Sequence, residues 1–392
     1  MFTFAATPPL SLYIHIPWCV RKCPYCDFNS HAVRDEIPEP AYMTALLADL
    51  EQELPAVWGR TVETVFIGGG TPSLISPKAL DRLLAGVRAR LSVKPGAEIT
   101  LEANPGTVDQ TKFAGFREAG ITRLSLGIQS FQPALLKSIG RIHNDVEALT
   151  AFRAARRAGF DNINLDLMFG LPGQDIEQSL RDLHTATELA PEHLSWYELT
   201  IEPNTWFHRH PPEQGDDDAR WEMQAAGQAL LQMTGYSRYE ISAYARGGRQ
   251  CRHNLNYWRF GDYIGIGAGA HGKITDAASQ RIYRTAKVRH PRNYLETAHT
   301  PQRISTKNYL EPADVVLEFA MNALRLDSGF STAGFSAATG LPAGAIERGV
   351  RQAIQQGLLV RDRNNILVTP HGQRYLNELL QIWVPQQAAY AD

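Results

Sequence analysis

Short apolar segments alternate with amphipathic segments over the first two-thirds of the chain, and this alternation restricts the possible folds most. Six segments have the length and composition of β-strands: SLYIHI (11–16), VETVFIGG (62–69), EITLEAN (98–104), TRLSLGIQ (122–129), NINLDLM (162–168) and HLSWYEL (193–199). Helical patterns occupy 40–54, 76–91, 145–160 and 176–189. Strands that alternate with helices favour parallel βα units. Six units are too many for a small open fold and too few for an eight-fold barrel, so we predict an α/β fold with a partial (β/α)6 barrel.

The remainder of the chain has a different pattern. Residues 211–220 are polar and predict a loop, 221–234 predict a helix, 237–245 a strand-like segment, and 276–312 irregular structure. Helical patterns at 313–325, 330–339 and 343–357 precede two alternating segments around Asn364–Asn365, which is typical of a hairpin. With a final helix near His371, this order predicts a winged-helix-like domain. We therefore predict a barrel at 1–215, an extension at 216–310 and a winged-helix-like domain at 311–392.

Charge argues against nucleic acid as a partner. The chain has a formal net charge of −2. Its last part, 311–392, contains eight acidic residues and six arginines but no lysine. Phosphate binding needs a clustered positive charge. We expect a structural or lid role for this domain.

Three cysteines, Cys19, Cys23 and Cys26, lie within eight residues in the stretch CVRKCPYCDF. Pro17 and Pro24 disfavour a helix here, so the cluster is predicted on a loop after the first strand. The chain shows no signal-peptide pattern and no apolar run of about 18 residues, which predicts a cytoplasmic protein. Disulfides are uncommon in that compartment, and the cluster therefore indicates a metal or redox site.

The residues leave more than one kind of site open. A structural zinc ion would need a fourth ligand, for which His15 and His31 are candidates. An iron–sulfur cluster is also held by thiolates, and three of them would leave one iron of a four-iron cluster open. The third possibility is three small apolar residues in a core.

The cysteine spacing resembles that of the radical S-adenosylmethionine (SAM) enzymes, which have Cys-x3-Cys-x2-Cys after the first strand. The resemblance implies a [4Fe–4S] cluster at Cys19, Cys23 and Cys26, with the open iron bound by the amino and carboxylate groups of SAM. The stretch GGGTP (68–72) ends the second strand and is similar to the glycine motif of that family. It implies contacts from Gly69, Gly70 and Thr71 to the SAM amino group.

A narrower resemblance, to the HemN/HemW group, covers nearly the whole chain. The group's motifs are similar to YIHIPWC, PYC, LEANP, RLSLGIQSF, SIGRIH and NLDLMFGLPGQ in this sequence. A carboxylate suits ribose hydroxyls or a cation, and an arginine suits a carboxylate. The resemblance implies SAM contacts at Tyr13, Tyr25, Glu102, Gln129, Arg141 and Asp166.

Two features separate this chain from the coproporphyrinogen oxidases of that group. Asp27 and Phe28 follow the third cysteine where those oxidases have a further cysteine, and their N-terminal extension is missing. The stretch HNLNYW (253–258) matches the HNxxYW motif of the HemW branch, whose members are haem chaperones. This match implies haem contacts at His253, Tyr257 and Trp258. Cys251 is predicted to be a lone buried thiol.

The resemblance implies a haem chaperone that holds a [4Fe–4S] cluster, SAM and haem and delivers haem to respiratory enzymes at the membrane. It would be cytoplasmic, with peripheral contact at the inner face of the membrane, and a homodimer is a candidate state. The alternative is an oxygen-independent coproporphyrinogen III oxidase, which forms protoporphyrinogen IX by radical SAM oxidative decarboxylation. The sequence assigns no catalytic residue and does not decide whether the protein is an enzyme.

One further glycine motif, GAGAHG (267–272), fits G-x-G-x-x-G. A dinucleotide site requires a helix directly after the glycines, and KITDAASQRIYR has no such pattern. We expect these glycines to allow close packing.

Overall fold

The computed structural model describes residues 2–34 and 36–384. Its strands along the chain are β1 (Leu10–Ile16), β2 (Trp18–Cys19), β3 (His31–Ala32), β4 (Thr61–Gly69), β5 (Ser92–Ala103), β6 (Arg123–Gln129), β7 (Ile163–Phe169), β8 (His193–Glu198), β9 (Ser237–Glu240), β10 (Ala243–Ala245), β11 (Asp262–Ile266), β12 (His271–Asp276), β13 (Arg281–Lys287), β14 (Ile304–Tyr309), β15 (Phe330–Ser331), β16 (Leu359–Asp362) and β17 (Asn365–Val368).

The α-helices are α1 (Glu39–Val57), α2 (Pro77–Arg90), α3 (Gln110–Glu118), α4 (Pro133–Ser138), α5 (Asp145–Arg157), α6 (Ile176–Leu189), α7 (Trp206–Arg209), α8 (Asp217–Met233), α9 (Arg252–Trp258), α10 (Pro291–Thr297), α11 (Pro312–Ala323), α12 (Thr332–Thr339), α13 (Gly344–Gln355), α14 (Pro370–Arg374) and α15 (Leu376–Gln381). Short 3₁₀ turns lie at Pro72–Leu74, Pro105–Thr107 and Pro301–Arg303.

A 12-stranded sheet has the order β14-β13-β12-β11-β1-β4-β5-β6-β7-β8-β10-β9. The six strands β1 and β4 to β8 are adjacent and parallel. Helices α1, α2, α3, α5 and α6 connect them in turn, because two parallel neighbours need a crossover connection between them. The predicted partial (β/α)6 barrel is confirmed. Apart from the first five residues of β5, the six strands are mostly buried, which explains why they appear in the sequence as nearly continuous apolar runs.

Further strands extend both edges of the barrel. Strand β11 pairs in parallel with β1, and β12, β13 and β14 follow it in antiparallel order. At the other edge β10 pairs with β8 and β9 pairs with β10, both antiparallel. The prediction that 276–312 is irregular is therefore wrong, because this stretch contains β13, α10 and β14.

Charged side chains hide the strand pattern of β13. Arg281 stacks on Tyr309, with its guanidinium carbon 3.8 Å from the ring centroid. Lys287 is fully buried, and its Nζ lies 2.7 Å from Asp49 and 2.5 Å from Glu53, both on α1. Cations normally indicate solvent exposure, and Arg281 is exposed, but ion pairs accommodate Lys287 inside the sheet.

Helix α8 begins earlier than the sequence pattern predicts. Asp216 is its N-cap, with the carboxylate accepting a hydrogen bond from the amide of Ala219. The first turn is acidic, and acidic residues at this position favour a helix start. Part of the predicted loop at 211–220 is therefore helical.

The C-terminal part is winged-helix-like, as predicted. Helices α11, α12 and α13 pack around a separate core that includes Phe319, Phe335 and Val350. Strands β15, β17 and β16 form a three-stranded sheet, in which Asp362 pairs with Asn365 across a tight turn. Phe260 and Ile282, which lie before residue 311, also belong to this core. The boundaries at 215 and 310 remain predictions.

No helix in the described part of the chain is long and apolar enough to cross a membrane.

Candidate cofactor and ligand site

A pocket of about 380 Å³ lies at the carboxyl ends of the parallel strands. Every strand of the barrel contributes to it, directly or through the loop that follows; representatives in chain order are Cys19, Gly70, Glu102, Gln129, Asp166 and Tyr197. The first and last of these strands are five positions apart in the sheet. The sheet must therefore curl around the pocket, as it does in a barrel.

All three clustered cysteines line this pocket. Cys19 belongs to β2, which pairs with β3 and so closes the loop between them. Cys19 is 8% exposed, while Cys23 and Cys26 are partly exposed, and none is in a disulfide. Burial raises the pKa of Cys19 and of Cys26. The loop thus presents three free thiols to one cavity.

The geometry does not favour a zinc ion. Both ring nitrogens of His15 are already bonded, Nδ1 to the Tyr13 hydroxyl at 3.0 Å and Nε2 to the Asn29 carbonyl at 2.9 Å. The described residues contain no group of three or more His, Cys, Asp or Glu side chains arranged around one ion. Three free thiols that line one cavity match the donor set of an iron–sulfur cluster.

The glycine turn after β4 brings backbone to the edge of the pocket. Gly69 has φ +116°, which strongly favours glycine. A Cβ on Gly70 would lie 2.5 Å from the carbonyl oxygen of Trp18 and 3.0 Å from the sulfur of Cys19. A side chain at position 70 would therefore displace the first cysteine.

Two partly buried carboxylates face the pocket. Glu102 accepts a hydrogen bond from the amide of Gly69 at 3.1 Å. Burial raises the pKa of Glu102 to about 8, and the charge of Asp166 adds to the rise. Asp166 accepts hydrogen bonds from Ser125 at 2.9 Å and Asn164 at 2.8 Å, and burial raises its pKa as well. A cationic ligand would relieve this unfavourable concentration of negative charge.

Gln129 reaches the pocket through a distorted backbone. Its φ is +68°, and the register of β6 against β7 shifts between Gly127 and Gln129. A β-bulge of this kind redirects a side chain. The Gln129 side-chain oxygen accepts a hydrogen bond from Tyr197 at 2.9 Å, which holds it in place.

Arg141 places a cation beside the cysteine loop. Its Nη1 lies 3.6 Å from the Cys23 sulfur, and its Nη2 donates to the Gly127 carbonyl at 2.6 Å. Its Nε is buried and has no hydrogen-bond partner among the described residues. The guanidinium therefore keeps unused hydrogen-bonding capacity for an anionic group.

Most residues predicted to contact SAM come together in this pocket. Of the nine, only Tyr13 does not line it, since its side chain points to His15 and packs on Phe66. The eight that line the pocket are Tyr25, Gly69, Gly70, Thr71, Glu102, Gln129, Arg141 and Asp166.

The HNLNYW stretch forms α9, and only Trp258 of the three predicted haem contacts lines the pocket, together with Asn254. His253 is 1% exposed, with Nδ1 2.8 Å from the Thr64 hydroxyl and Nε2 2.8 Å from the Tyr257 hydroxyl. Burial lowers the pKa of His253 to about 3. Its imidazole is thus neutral and has both nitrogens occupied.

Several pocket residues were not predicted. Gly127 and Ser125 lie two and four positions before Gln129, and Ser195 lies two before Tyr197. The alternation of strand faces could have identified them, because residues two apart share a face. Glu240 and Arg325 also line the pocket, from distant parts of the chain, and no sequence pattern marks them.

Two other predictions can be compared with the structure. Cys251 is 1% exposed and lies outside the pocket, with its sulfur 3.7 Å from Glu98, as expected of a buried thiol. After GAGAHG the chain enters the antiparallel strand β12 and not a helix. A Cβ on Gly267 would lie 2.4 Å from the His15 carbonyl oxygen, so this glycine allows close packing.

Comparison with family models matches residues 13–185 to the Radical SAM superfamily and 310–375 to the HemN C-terminal domain. The first match implies a [4Fe–4S] cluster and SAM. The donor set of this pocket fits both groups, with three free thiols, a glycine turn against the first cysteine, partly buried carboxylates and a partly unpartnered arginine.

A solved structure of coproporphyrinogen III oxidase (HemN) from Escherichia coli, described as a radical SAM enzyme, superposes with a TM-score of 0.80. The two chains are 21% identical, and the match covers 96% of this chain and 90% of that one. At this identity the likeness establishes the fold alone.

Curated relatives are much closer in sequence. A heme chaperone HemW from Escherichia coli (strain K12) is 51% identical over 379 residues, which cover 97% of this chain and 99% of the relative. Heme chaperones HemW from Haemophilus influenzae and Bacillus subtilis are 47% and 33% identical, over 97% and 94% of this chain. Identity at this level over the full length establishes that this chain belongs to the heme chaperone HemW family of the radical SAM superfamily.

Proposed function

We propose that this protein binds haem and delivers it to respiratory haem enzymes, using a [4Fe–4S] cluster and SAM. One observation carries the proposal beyond family membership. Phe28, which stands where the oxidases have a cysteine, and Trp258 of the HNLNYW helix line the same pocket as the three cysteines. The two features that distinguish this branch in sequence therefore meet at one place in the fold.

Cys19, Cys23 and Cys26 would hold the cluster. SAM would be surrounded by the eight predicted residues that line the pocket, which are Tyr25, Gly69, Gly70, Thr71, Glu102, Gln129, Arg141 and Asp166. Tyr13 would act indirectly, by orienting His15. When bound, these groups supply one-electron chemistry and a cleavable sulfonium. The carboxylates favour the positive charge of SAM, while the guanidinium of Arg141 favours its carboxylate.

Trp258 is the best placed of the predicted haem contacts. Its indole lines the pocket, and the guanidinium carbon of Arg325 lies 4.2 Å from its ring centroid. An aromatic face suits a flat macrocycle. The Arg325 guanidinium donates to Glu240 at 3.1 Å, and its buried Nε, which has no partner among the described residues, suits a propionate. Phe28 is 57% exposed and adds apolar surface to the same pocket.

His253 and Tyr257 would support the contact of Trp258 indirectly, by holding α9 in place. The bond from His253 to Thr64 on β4 attaches α9 to the barrel, and the bond from His253 to Tyr257 lies within α9. To bind iron through His253, the protein would have to break one of these bonds and expose a buried ring. We therefore assign His253 a positioning role and Trp258 the contact.

Haem titration of the anaerobically reconstituted protein tests this assignment. We expect Trp258→Ala to weaken haem binding about tenfold or more, as loss of an aromatic anchor does. Trp58→Ala is the matched control, because Trp58 is 83% exposed and lies outside the pocket. His253→Gln, which cannot replace an iron ligand, should change the affinity little. If the haem bound to a folded His253→Gln variant lacks the iron-ligand absorbance bands of the wild type, His253 is a ligand after all.

Function requires transfer as well as binding. Haem-loaded protein is mixed with membrane vesicles that carry a haem-free respiratory oxidase, and the recipient's absorbance is followed. We expect transfer that depends on the cluster and SAM. The same preparation is incubated with coproporphyrinogen III, SAM and a reductant. Sustained formation of protoporphyrinogen IX, or the absence of saturable haem binding, would refute the chaperone assignment.

The proposal places the protein in the cytoplasm, with contact at the inner face of the membrane only while haem is transferred. A homodimer remains a prediction, which sedimentation of the haem-free and haem-loaded protein would test.

A further inference from the structure

A second groove, of about 690 Å³, borders the cysteine loop. Cys23 and Cys26 line this groove as well as the pocket described above, so the loop separates the two cavities. Cys19, in contrast, lines only the inner pocket and is nearly buried. The groove is thus the place where two of the three thiols come nearest to the surface from outside.

The groove is strongly cationic. Arg21, Lys22, Lys137 and Arg209 line it, and no carboxylate does. All four side chains are exposed, and none forms an ion pair with another described residue. The whole chain has a net charge of −2, so this local concentration of positive charge is not a general property of the surface.

An exposed aromatic residue accompanies the charges. Trp206, at the start of α7, lines the groove and is 60% exposed, and it stacks on His210 with 3.9 Å between ring centroids. The amide of Phe207 donates to the Pro24 carbonyl at 3.0 Å, which ties α7 to the cysteine loop. An exposed aromatic side chain within a charged rim is typical of protein interfaces.

If the three cysteines hold a cluster, as the proposed function requires, the cluster needs an electron from outside. A protein donor must bring its own redox group close to the cysteine loop. The inner pocket would be filled by ligands, so the groove on the other side of the loop is the accessible approach. Its charge selects for a partner with an acidic surface.

We propose that this groove is the docking face for a small acidic electron-transfer protein. In the docked complex the donor loses one electron and the cluster gains one, and no covalent bond forms or breaks. Such complexes are small and transient, and opposite charges accelerate their formation by about 10 to 10³-fold.

The test measures cluster reduction in the full-length, reconstituted protein by a reduced flavodoxin, which is an acidic one-electron donor. Lys137→Glu/Arg209→Glu reverses two groove charges that are distant in sequence from the cysteines. Arg348→Glu/Arg351→Glu is the matched control, because it makes the same change of net charge on exposed residues of α13. The rate of cluster bleaching is followed at several salt concentrations, and bleaching by excess dithionite gives the reducible cluster content.

We expect the groove variant to lower the second-order rate about tenfold or more and to flatten its salt dependence. The control variant and the extent of bleaching by dithionite should match the wild type. Equal rates in all three proteins would overturn the docking proposal while leaving the cluster in place. Absence of any bleaching by dithionite would instead refute the cluster, and with it the docking proposal. A groove variant that loses haem affinity but keeps its reduction rate would identify the groove as a haem site and also overturn the proposal.

Discussion

Replacing Glu102 with glutamine should remove a pH-dependent loss of stability. Glu102 is partly buried at the pocket wall, and removal from water raises its pKa from 4.5 to about 8. The folded chain therefore favours the protonated carboxyl, whereas the unfolded chain ionises it near 4.5. The contribution of Glu102 to the free energy of unfolding is fully present below pH 4.5, and it is lost as the pH rises towards 8.

The size of the effect follows from the two pKa values. The difference between the two pKa values corresponds to a loss of about 5 kcal/mol in the free energy of unfolding over the whole pH range. About 2 kcal/mol of this loss falls between pH 6 and pH 8. The cluster-free wild type should thus lose about 2 kcal/mol more than Glu102→Gln over this interval. The titrating groups that do not act on Glu102 cancel in the comparison, and the effect of the Asp166 charge is already contained in the pKa of about 8.

Urea unfolding at pH 6 and pH 8, followed by tryptophan fluorescence, measures this difference. Glu188→Gln is the matched control, since Glu188 is exposed and forms no ion pair with another described residue. Parallel behaviour of the wild type and Glu102→Gln, to within about 0.5 kcal/mol, would refute the reasoning, because that is a small fraction of the expected linkage.

Three further predictions concern individual positions. Gly70→Ala should lower the iron content after reconstitution to less than about half of the wild-type content, because the alanine Cβ would collide with the Trp18 carbonyl. An iron content equal to that of the wild type would contradict this prediction. His253→Ala should reduce the free energy of unfolding by about 2–4 kcal/mol, through two lost hydrogen bonds and a cavity, and an unchanged melting temperature would count against it. Lys287→Met should lower the free energy of unfolding by about 3–5 kcal/mol, because it removes the buried cation between two carboxylates of α1. Lys94→Met, at an exposed ion pair, should lower the free energy of unfolding by less than about 1 kcal/mol. Equal losses in these two lysine variants would refute the role of burial.

The barrel could be predicted because its strands are buried on both faces. Such strands appear as apolar runs between helical patterns, and their parallel order follows from the alternation. For the site, the resemblance to the HemN/HemW group implied Glu102, Gln129 and Asp166 as SAM contacts. The structure brings them into one pocket because the carboxyl ends of parallel strands meet at one edge of the sheet.

Prediction from the sequence failed where contacts between distant segments determine the structure. Strand β13 was missed because its cations find aromatic and acidic partners that are remote in the chain. His253 carries the most recognisable motif position, yet hydrogen bonds to Thr64 and Tyr257 direct its ring away from the pocket. Glu240 and Arg325 enter the pocket without any local pattern.

The sequence by itself determined the class of the protein. Three features indicated that class: the spacing of the three cysteines, the glycines after the second strand and the residue at position 28. Each is a short motif of neighbouring residues, so it can be recognised without knowledge of the fold. Only the tertiary structure decided which of those residues share one cavity. It also showed that the cysteine loop has a second side, where cations from three separate segments form one groove, because side chains remote in sequence become neighbours only when the chain folds.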